Sequence, residues 1–200
     1  MTATAPAVAL SSPVPGRGRS IAWWGIVLVI ATEATIFFAL LSAYFFIRAG
    51  SPTWPQGHLE KPALGHISVF TVVLLASSAP LFWGERAIRR GDLGRLRIAL
   101  AVSFVLGLAF LANQVKDYQD LTFGARDNAY ASLFYLITGL HGLHVLVGLC
   151  MNGVVQAKAW TRRVSAEHHI VVTVFSLYWH FVDVVWIFVF SSLFLSVSLR

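Results

Sequence analysis

The chain has 200 residues, 57% of them hydrophobic and only 12% charged, with a formal net charge of +6. Soluble domains carry roughly 25% charged residues, so this composition excludes a soluble globular protein and any separate soluble domain. In a soluble chain the basic balance would point to nucleic acid; here the basic residues fall in short loops between long apolar runs, where they set membrane topology, and no nucleic-acid partner is expected.

Five runs organise the chain. Residues 21–47 hold one charged residue, Glu33; 67–84, 98–115 and 128–157 hold none; 170–199 holds one, Asp183. Each is about 18 residues or longer, enough to cross a hydrocarbon core of about 30 Å at about 1.5 Å per residue. The expected fold is all-α, an integral membrane bundle of five transmembrane helices over about 21–47, 67–86, 98–116, 129–157 and 170–198, within one domain from 21 to 200.

Residues 1–20 are rich in Ala, Ser, Thr and Pro. Arg17 and Arg19 follow the mildly apolar part instead of preceding it, so no cleavable signal is expected, only a disordered cytoplasmic tail. Span one begins at Trp23 and Trp24, where aromatic rings favour the headgroup zone. Glu33 comes nine residues later, roughly 14 Å into the membrane. An ionised carboxylate at that depth is costly, so it is protonated or paired.

The loop over 48–65 contains Pro52, Pro55 and Pro62 and reads as an irregular connection. Span two carries Ser68, Thr71, Ser77 and Ser78, small hydroxyl residues that allow close helix approach and interhelical hydrogen bonds, with Pro80 near its end, where a kink is tolerated. The following loop, 85–97, holds Arg86, Arg89, Arg90, Arg95 and Arg97, the principal topological anchor and a source of charge for anionic headgroups. Span three is plain until Asn113 and Gln114. Cys150, the single cysteine, falls within span four, so no disulfide framework exists and it reads as a small packing residue.

Span four sets Thr138, His141, Gly148 and Asn152 along one side, with His144 one turn from His141. Span five sets Thr173, Ser176, His180 and Asp183 on one helical stripe, which must face protein. Counting loops, the side of the N-terminus holds ten basic residues and the other side five. That asymmetry puts the N-terminus in the cytoplasm and the C-terminus outside. Glu33, His144 and Asp183 then share the middle of the membrane. The expectation is a buried polar network of Glu33, His141, His144, His180 and Asp183.

On residue types alone several functions fit such a cluster. His144 and His180 on facing helices are the pair a free-standing bis-histidine membrane cytochrome needs. Metal catalysis through histidine and carboxylate ligands is weaker, because carboxylate-bridged sites in bundles use Glu-x-x-His pairs and none occurs. A structural role, in which the groups satisfy one another and present a surface to a larger membrane partner, and ion or proton transport both stay open.

The blocks H-G-L-H-V (141–145), E-H-H (167–169) and Y-W-H-F-V-D-V-V-W (178–186) resemble subunit III of cytochrome c oxidase. So do A-T-E-A-T-I-F-F (31–38), with its buried glutamate at Glu33, L-L-A-S-S (74–78), the Gly91–Asp92 turn, and Gln114 with Tyr118, all in the same order over about 23–198. The resemblance implies a subunit of a proton-pumping haem–copper oxidase that reduces dioxygen to water in aerobic respiration. It implies no catalytic centre, haem or copper in this chain, the redox groups belonging to subunits I and II. It also implies direct packing on subunit I, support of proton uptake, bound structural phospholipid and a bacterial plasma membrane. Lys158 and Arg163 match positions where the family places basic or histidine residues near headgroups; plain topological anchoring explains them equally well.

The sequence departs from the family pattern in having five spans where longer members have seven, so the lipid-filled cleft of those members cannot form within this chain alone. Shortened members often accompany a subunit I with additional helices. Thr32 stands where serine usually precedes the glutamate, and Asn128 where an acidic residue is common. Quinol oxidases have a similar five-helix subunit and nitric-oxide reductases a related accessory protein; the electron-donor site that separates the two oxidases lies on another subunit.

Overall fold

A computed structural model of the protein describes residues 20–56 and 64–198. The expected tail falls outside the described residues except for Ser20, as does 57–63 of the first loop. All regular structure among the described residues is helical: α1 (Ile21–Ala49), α2 (Leu64–Ala76), α3 (Ser78–Arg89), α4 (Leu93–Asp120), α5 (Ala129–Trp160), α6 (Ile170–Phe190), a wider π turn (Ser191–Leu195) and α7 (Ser196–Ser198). With α2–α3 and α6–α7 each counted as one crossing, five helices are long and apolar enough to span a membrane.

Local chemistry fixes the ends. Ser20 accepts from the Trp23 amide, Asp92 from the Arg95 amide and Asn128 from the Ala131 amide, three side-chain caps on three first turns. Gly91, at φ 80°, supplies the left-handed residue that reverses the chain between α3 and α4. Helix α4 extends beyond the expected span 98–116 at both ends, because Asp92 caps it five residues before Arg97 and its C-terminal end, with Lys116, Asp117 and Asp120, continues past the apolar run.

The second crossing is broken at Ser77. Pro80 has no N–H, so the carbonyl of Ala76 loses its helical partner and the ladder opens there. Neighbouring helices repair the break: Ser103 Oγ on α4 donates to the Ser77 carbonyl at 2.8 Å, and Trp179 Nε1 on α6 donates to Ser77 Oγ at 2.8 Å. The Trp179 indole lies in a slot between Gly107 of α4 and Gly148 of α5, where a Cβ would stand 2.7 Å from the ring on either side.

Helices α4, α5 and α6 form the centre, with α2 and α3 against α4 and α6. Helix α1 lies outermost and packs chiefly on α6 and α5. Its inward stripe, Ile26, Ile30, Glu33, Phe37, Leu40 and Tyr44, repeats at three and four residues; most of its remaining surface, Trp24, Leu28, Ile36, Phe38 and Phe46 included, is exposed. Arg48 fastens the far end of α1 by donating to the Ser196 carbonyl at 3.0 Å and to Ser196 Oγ.

Candidate functional site

The ionisable side chains inside the bundle gather at two places. Glu33, on the inward stripe of α1, meets His144 of α5, with Oε2 3.1 Å from Nε2. The other ring nitrogen of His144, Nδ1, lies 2.8 Å from the Leu140 carbonyl. A carbonyl only accepts, so Nδ1 carries hydrogen. Nε2 then either donates to a carboxylate as part of an imidazolium or accepts from a carboxylic acid. Both arrangements hold one proton between the groups and leave the pair neutral overall.

The surroundings of this pair are aromatic. Phe37 stands edge-on to the imidazole at 5.1 Å between ring centres, Tyr178 stacks at 6.5 Å, and the Tyr178 hydroxyl donates to the His144 carbonyl at 3.3 Å. The His144 side chain is 10% exposed and that of Glu33 is 32% exposed, so the carboxyl sits at the outer edge of the bundle.

The second grouping joins α6 to the broken crossing. His180 and Asp183, one turn apart, both reach Ser78: His180 Nδ1 is 3.0 Å from Ser78 Oγ, and that hydroxyl donates to Asp183 Oδ2. Because the hydroxyl hydrogen goes to Asp183, the His180 Nδ1–H is the donor to Ser78. Asp183 Oδ1 is buried without a partner. Towards the arginine-rich end the same seam continues with Thr173 Oγ1 donating to Glu85 at 3.3 Å and Arg89 pairing with Glu85 at 2.8 Å.

His141 joins neither grouping by a hydrogen bond. It is fully buried, both ring nitrogens lack partners, and the ring lies 4.6 Å from Trp186 and 5.9 Å from Phe110. Of the five residues expected to cluster, the structure thus brings Glu33 to His144 and, through Ser78, His180 to Asp183. The sequence marks Ser77 and Ser78 as hydroxyl residues suited to close helix approach and interhelical hydrogen bonds, without indicating their partners; their place three and two positions before Pro80 marks where backbone and hydroxyl groups are freed for such contacts.

Among the described residues no three histidine, cysteine, aspartate or glutamate side chains converge as a metal-binding set. Of the two imidazoles that would flank a haem, His144 has both ring nitrogens engaged, while His180 has Nδ1 on Ser78. What the arrangement does chemically is hold helices in register and keep protons at fixed atoms. Interhelical hydrogen bonds within membranes contribute on average about 0.6 and at most about 1.7 kcal/mol each.

Lys158 and Arg163 sit on the last turn of α5 and just beyond it, linked by the Arg163 amide donating to the Lys158 carbonyl at 2.9 Å, with both side chains exposed. At the same end a recess of about 440 Å³ is lined by Ser20, Trp23, Arg89, Glu167, His169 and Thr173. Arg89 reaches this recess from the end of α3, while Glu167 and His169 share the α5–α6 loop with Arg163; nothing in the sequence spacing places those two connections together. Cys150 is a correction. It is exposed, facing outward with Leu143, Leu146, Val147 and Val154 instead of packing inside, because the buried side of α5 is set by His141, His144, Gly148 and Asn152.

Comparison with known proteins adds an independent observation. The family model for Cytochrome c oxidase subunit III matches residues 19–198. Cytochrome c oxidase subunit 3 of Synechocystis sp. is 36% identical over 176 residues, 86% of this chain and 74% of that protein. The protein of the same name from Thermostichus vulcanus is 34% identical over 172 residues, 86% and 85% of the two chains. That of Lumbricus terrestris is 36% identical over 173 residues, covering 82% and 66%.

Proposed function

The chain belongs to the cytochrome c oxidase subunit III family, and from that premise we propose that it is the non-redox accessory subunit of a proton-pumping haem–copper oxidase in a bacterial plasma membrane. Haem and copper reside in subunits I and II of that complex, which takes electrons from cytochrome c and reduces dioxygen to water. The chain contributes a surface for subunit I, bound phospholipid, and support of proton uptake. Its N-terminus lies in the cytoplasm, where ten of the fifteen basic residues gather.

The observation that carries this reading is the placing of Glu33. A carboxyl paired with His144 yet 32% exposed, on a helix whose outer face is largely uncovered, belongs at a seam that something else in the membrane completes. A net-neutral acid–imidazole pair fixes α1 against α5 without adding a net charge in hydrocarbon. Headgroups of structural phospholipid are assigned to Lys158 and Arg163, with Arg89 and His169 lining the neighbouring recess.

Co-purification from the native membrane tests the proposal. A haem- and copper-bearing partner is expected to accompany this chain, and Glu33→Leu is expected to shorten the working lifetime of the complex while leaving its haem spectrum unchanged. A chain that purifies without any oxidase core, or that shows a Soret band of its own when alone, overturns the reading.

A further inference from the structure

Where α6 crosses the broken helix, its polar groups form one line. Thr173, His180 and Asp183 share a stripe of α6, and Ser78 and Glu85 meet that stripe from α3. Helical side chains lean towards the N-terminus of their own helix. Helix α6 begins and α3 ends at the arginine-rich end of the bundle, so His180 leans towards the level of Glu85 and Glu85 leans towards that of His180. Among the described residues Glu85 is the one charged group that acts electrostatically on His180, and none acts on Asp183. On the α1 and α5 sides the ionisable groups are Glu33 and His144, engaged with each other, and His141, packed against Trp186 and Phe110.

Each atom of the inner three residues has a defined part. His180 Nδ1–H donates to Ser78 Oγ at 3.0 Å, and the Ser78 hydroxyl donates to Asp183 Oδ2. His180 is half-buried; its second nitrogen, Nε2, has no hydrogen-bond partner among the described residues and is not sealed inside the bundle. A hydroxyl both donates and accepts, so the same two contacts also serve in the opposite direction, from Asp183 through Ser78 to His180. The Glu33–His144 pair has no such freedom, because His144 Nδ1 faces a carbonyl, which never donates. Ser78 is the one donor to the Asp183 carboxylate, since Oδ1 is buried without a partner, and taking up a proton removes that charge from hydrocarbon.

We propose that His180, Ser78 and Asp183 form a reversible proton store, entered at His180 Nε2 and closed at Asp183. A proton arriving at Nε2 makes the ring an imidazolium. The hydrogen on Nδ1 passes to Ser78 Oγ while the Ser78 hydrogen passes to Asp183 Oδ2. His180 is left neutral with its hydrogen on Nε2, Ser78 is again a hydroxyl and now donates to Nδ1, and Asp183 is a carboxylic acid. One proton has entered, and the cluster has gone from one negative charge to none. Emptying reverses the same steps. Glu85 draws protons towards the entry by its charge; with Oε1 3.3 Å from Thr173 and 2.8 Å from Arg89, it joins the seam to the recess those two residues line. The store consists of this chain's own residues and stands whether or not the partner is an oxidase.

Infrared difference spectroscopy on the intact complex in lipid, after a jump from alkaline to neutral buffer, tests it. The carbonyl stretch of a protonated carboxyl is expected to appear in the parent and to be missing in Asp183→Asn. Ser78→Ala is expected to slow its appearance about a hundredfold, within the range a positioned proton carrier contributes, and Ser78→Thr to restore the parental rate. Glu85→Gln is expected to slow loading without changing its extent. A residue that only packs would leave these rates alone. The same band in Asp183→Asn as in the parent, or parental loading in Ser78→Ala, overturns the proposal, and an unchanged rate in Glu85→Gln overturns entry at His180. If Asp183→Asn does not assemble, carbon-13 in the aspartate carboxyls must shift the band of the parent complex, and a band that stays in place overturns the store. If Ser78→Ala does not assemble, Glu85→Gln, outside the inner three residues, decides through the rate.

Discussion

Two acid–imidazole groupings lie inside this bundle, and they are built on opposite plans. Glu33 and His144 meet directly, at the contact between the outermost helix and the core, with a third of the Glu33 side chain uncovered. His180 and Asp183 never meet directly; Ser78 stands between them, beside a helix break whose free groups are taken up by Ser103 and Trp179. Asp183 is only 6% exposed. The residue types and the depth are alike, so neither sets the role. What separates the pair is its setting: one acid joins an element held by few neighbours, while the other is enclosed by three helices that depend on the same hydroxyl-bearing kink.

If the kink region is the firm part of the molecule, its packing should tolerate change least. Gly107→Val and Gly148→Val each put branched carbons where a Cβ alone stands 2.7 Å from the Trp179 ring. Either is expected to destabilise the folded bundle by about 1–3 kcal/mol through overpacking. Asp183→Leu should follow closely. It leaves the Ser78 hydroxyl hydrogen without its acceptor, a cost of about 1–3 kcal/mol, whereas Asp183→Asn keeps an acceptor and should lose less. Chemical unfolding of the purified complex, followed by tryptophan fluorescence, ranks the four variants. A Gly148→Val protein as stable as the parent removes the claim that Trp179 is locked in its slot.

At the seam the expected energies are smaller and their consequence lies elsewhere. A double-mutant cycle with Glu33→Leu and His144→Leu should return a coupling of about 0.6–1.7 kcal/mol, the range for polar contacts in membranes. Bundle unfolding should change little. Retention of the chain in the complex during detergent washing should change more, because α1 packs chiefly on two helices and leaves its outer face to a neighbour. A coupling near zero would mean that the two side chains are neighbours without being partners.

The five crossings were legible because length and hydropathy act along one segment at a time: a run such as 128–157 with no charge needs no knowledge of any other run. The polar residues were legible for the same reason, each being anomalous in its own helix. Their partners were not. Which imidazole meets Glu33 depends on how α1 rotates against α5, and the Gly107–Trp179–Gly148 slot draws one residue from each of three helices. Pro80 gave notice of a kink, and the structure adds that the kink is where Ser77 and Ser78 become the bridge. His141 was grouped with the acids by type and depth, yet its side of α5 at that level meets Trp186 and Phe110.

The smallest effect separates the two faces of α1. Thr32 precedes Glu33 in sequence but points away from the stripe that holds it, and its hydroxyl donates to carbonyls of its own helix, Val29 at 2.8 Å and Leu28 at 3.2 Å. Thr35 does the same towards Ala31 at 2.9 Å. A hydroxyl satisfied within its own helix brings no polar demand to a neighbour, which is how an exposed residue at this depth can carry oxygen without penalty. Thr32→Val keeps the shape and removes only that internal bond, so stability should shift by less than about 0.5 kcal/mol. Yield of the assembled complex should stay at the parental level, in contrast to Glu33→Leu one position along. Comparing the two variants in one membrane preparation isolates the side of α1 on which the chain depends. A Thr32→Val complex that falls apart as readily as Glu33→Leu would mean that the outer face meets a partner through that hydroxyl, and that the seam has two sides instead of one.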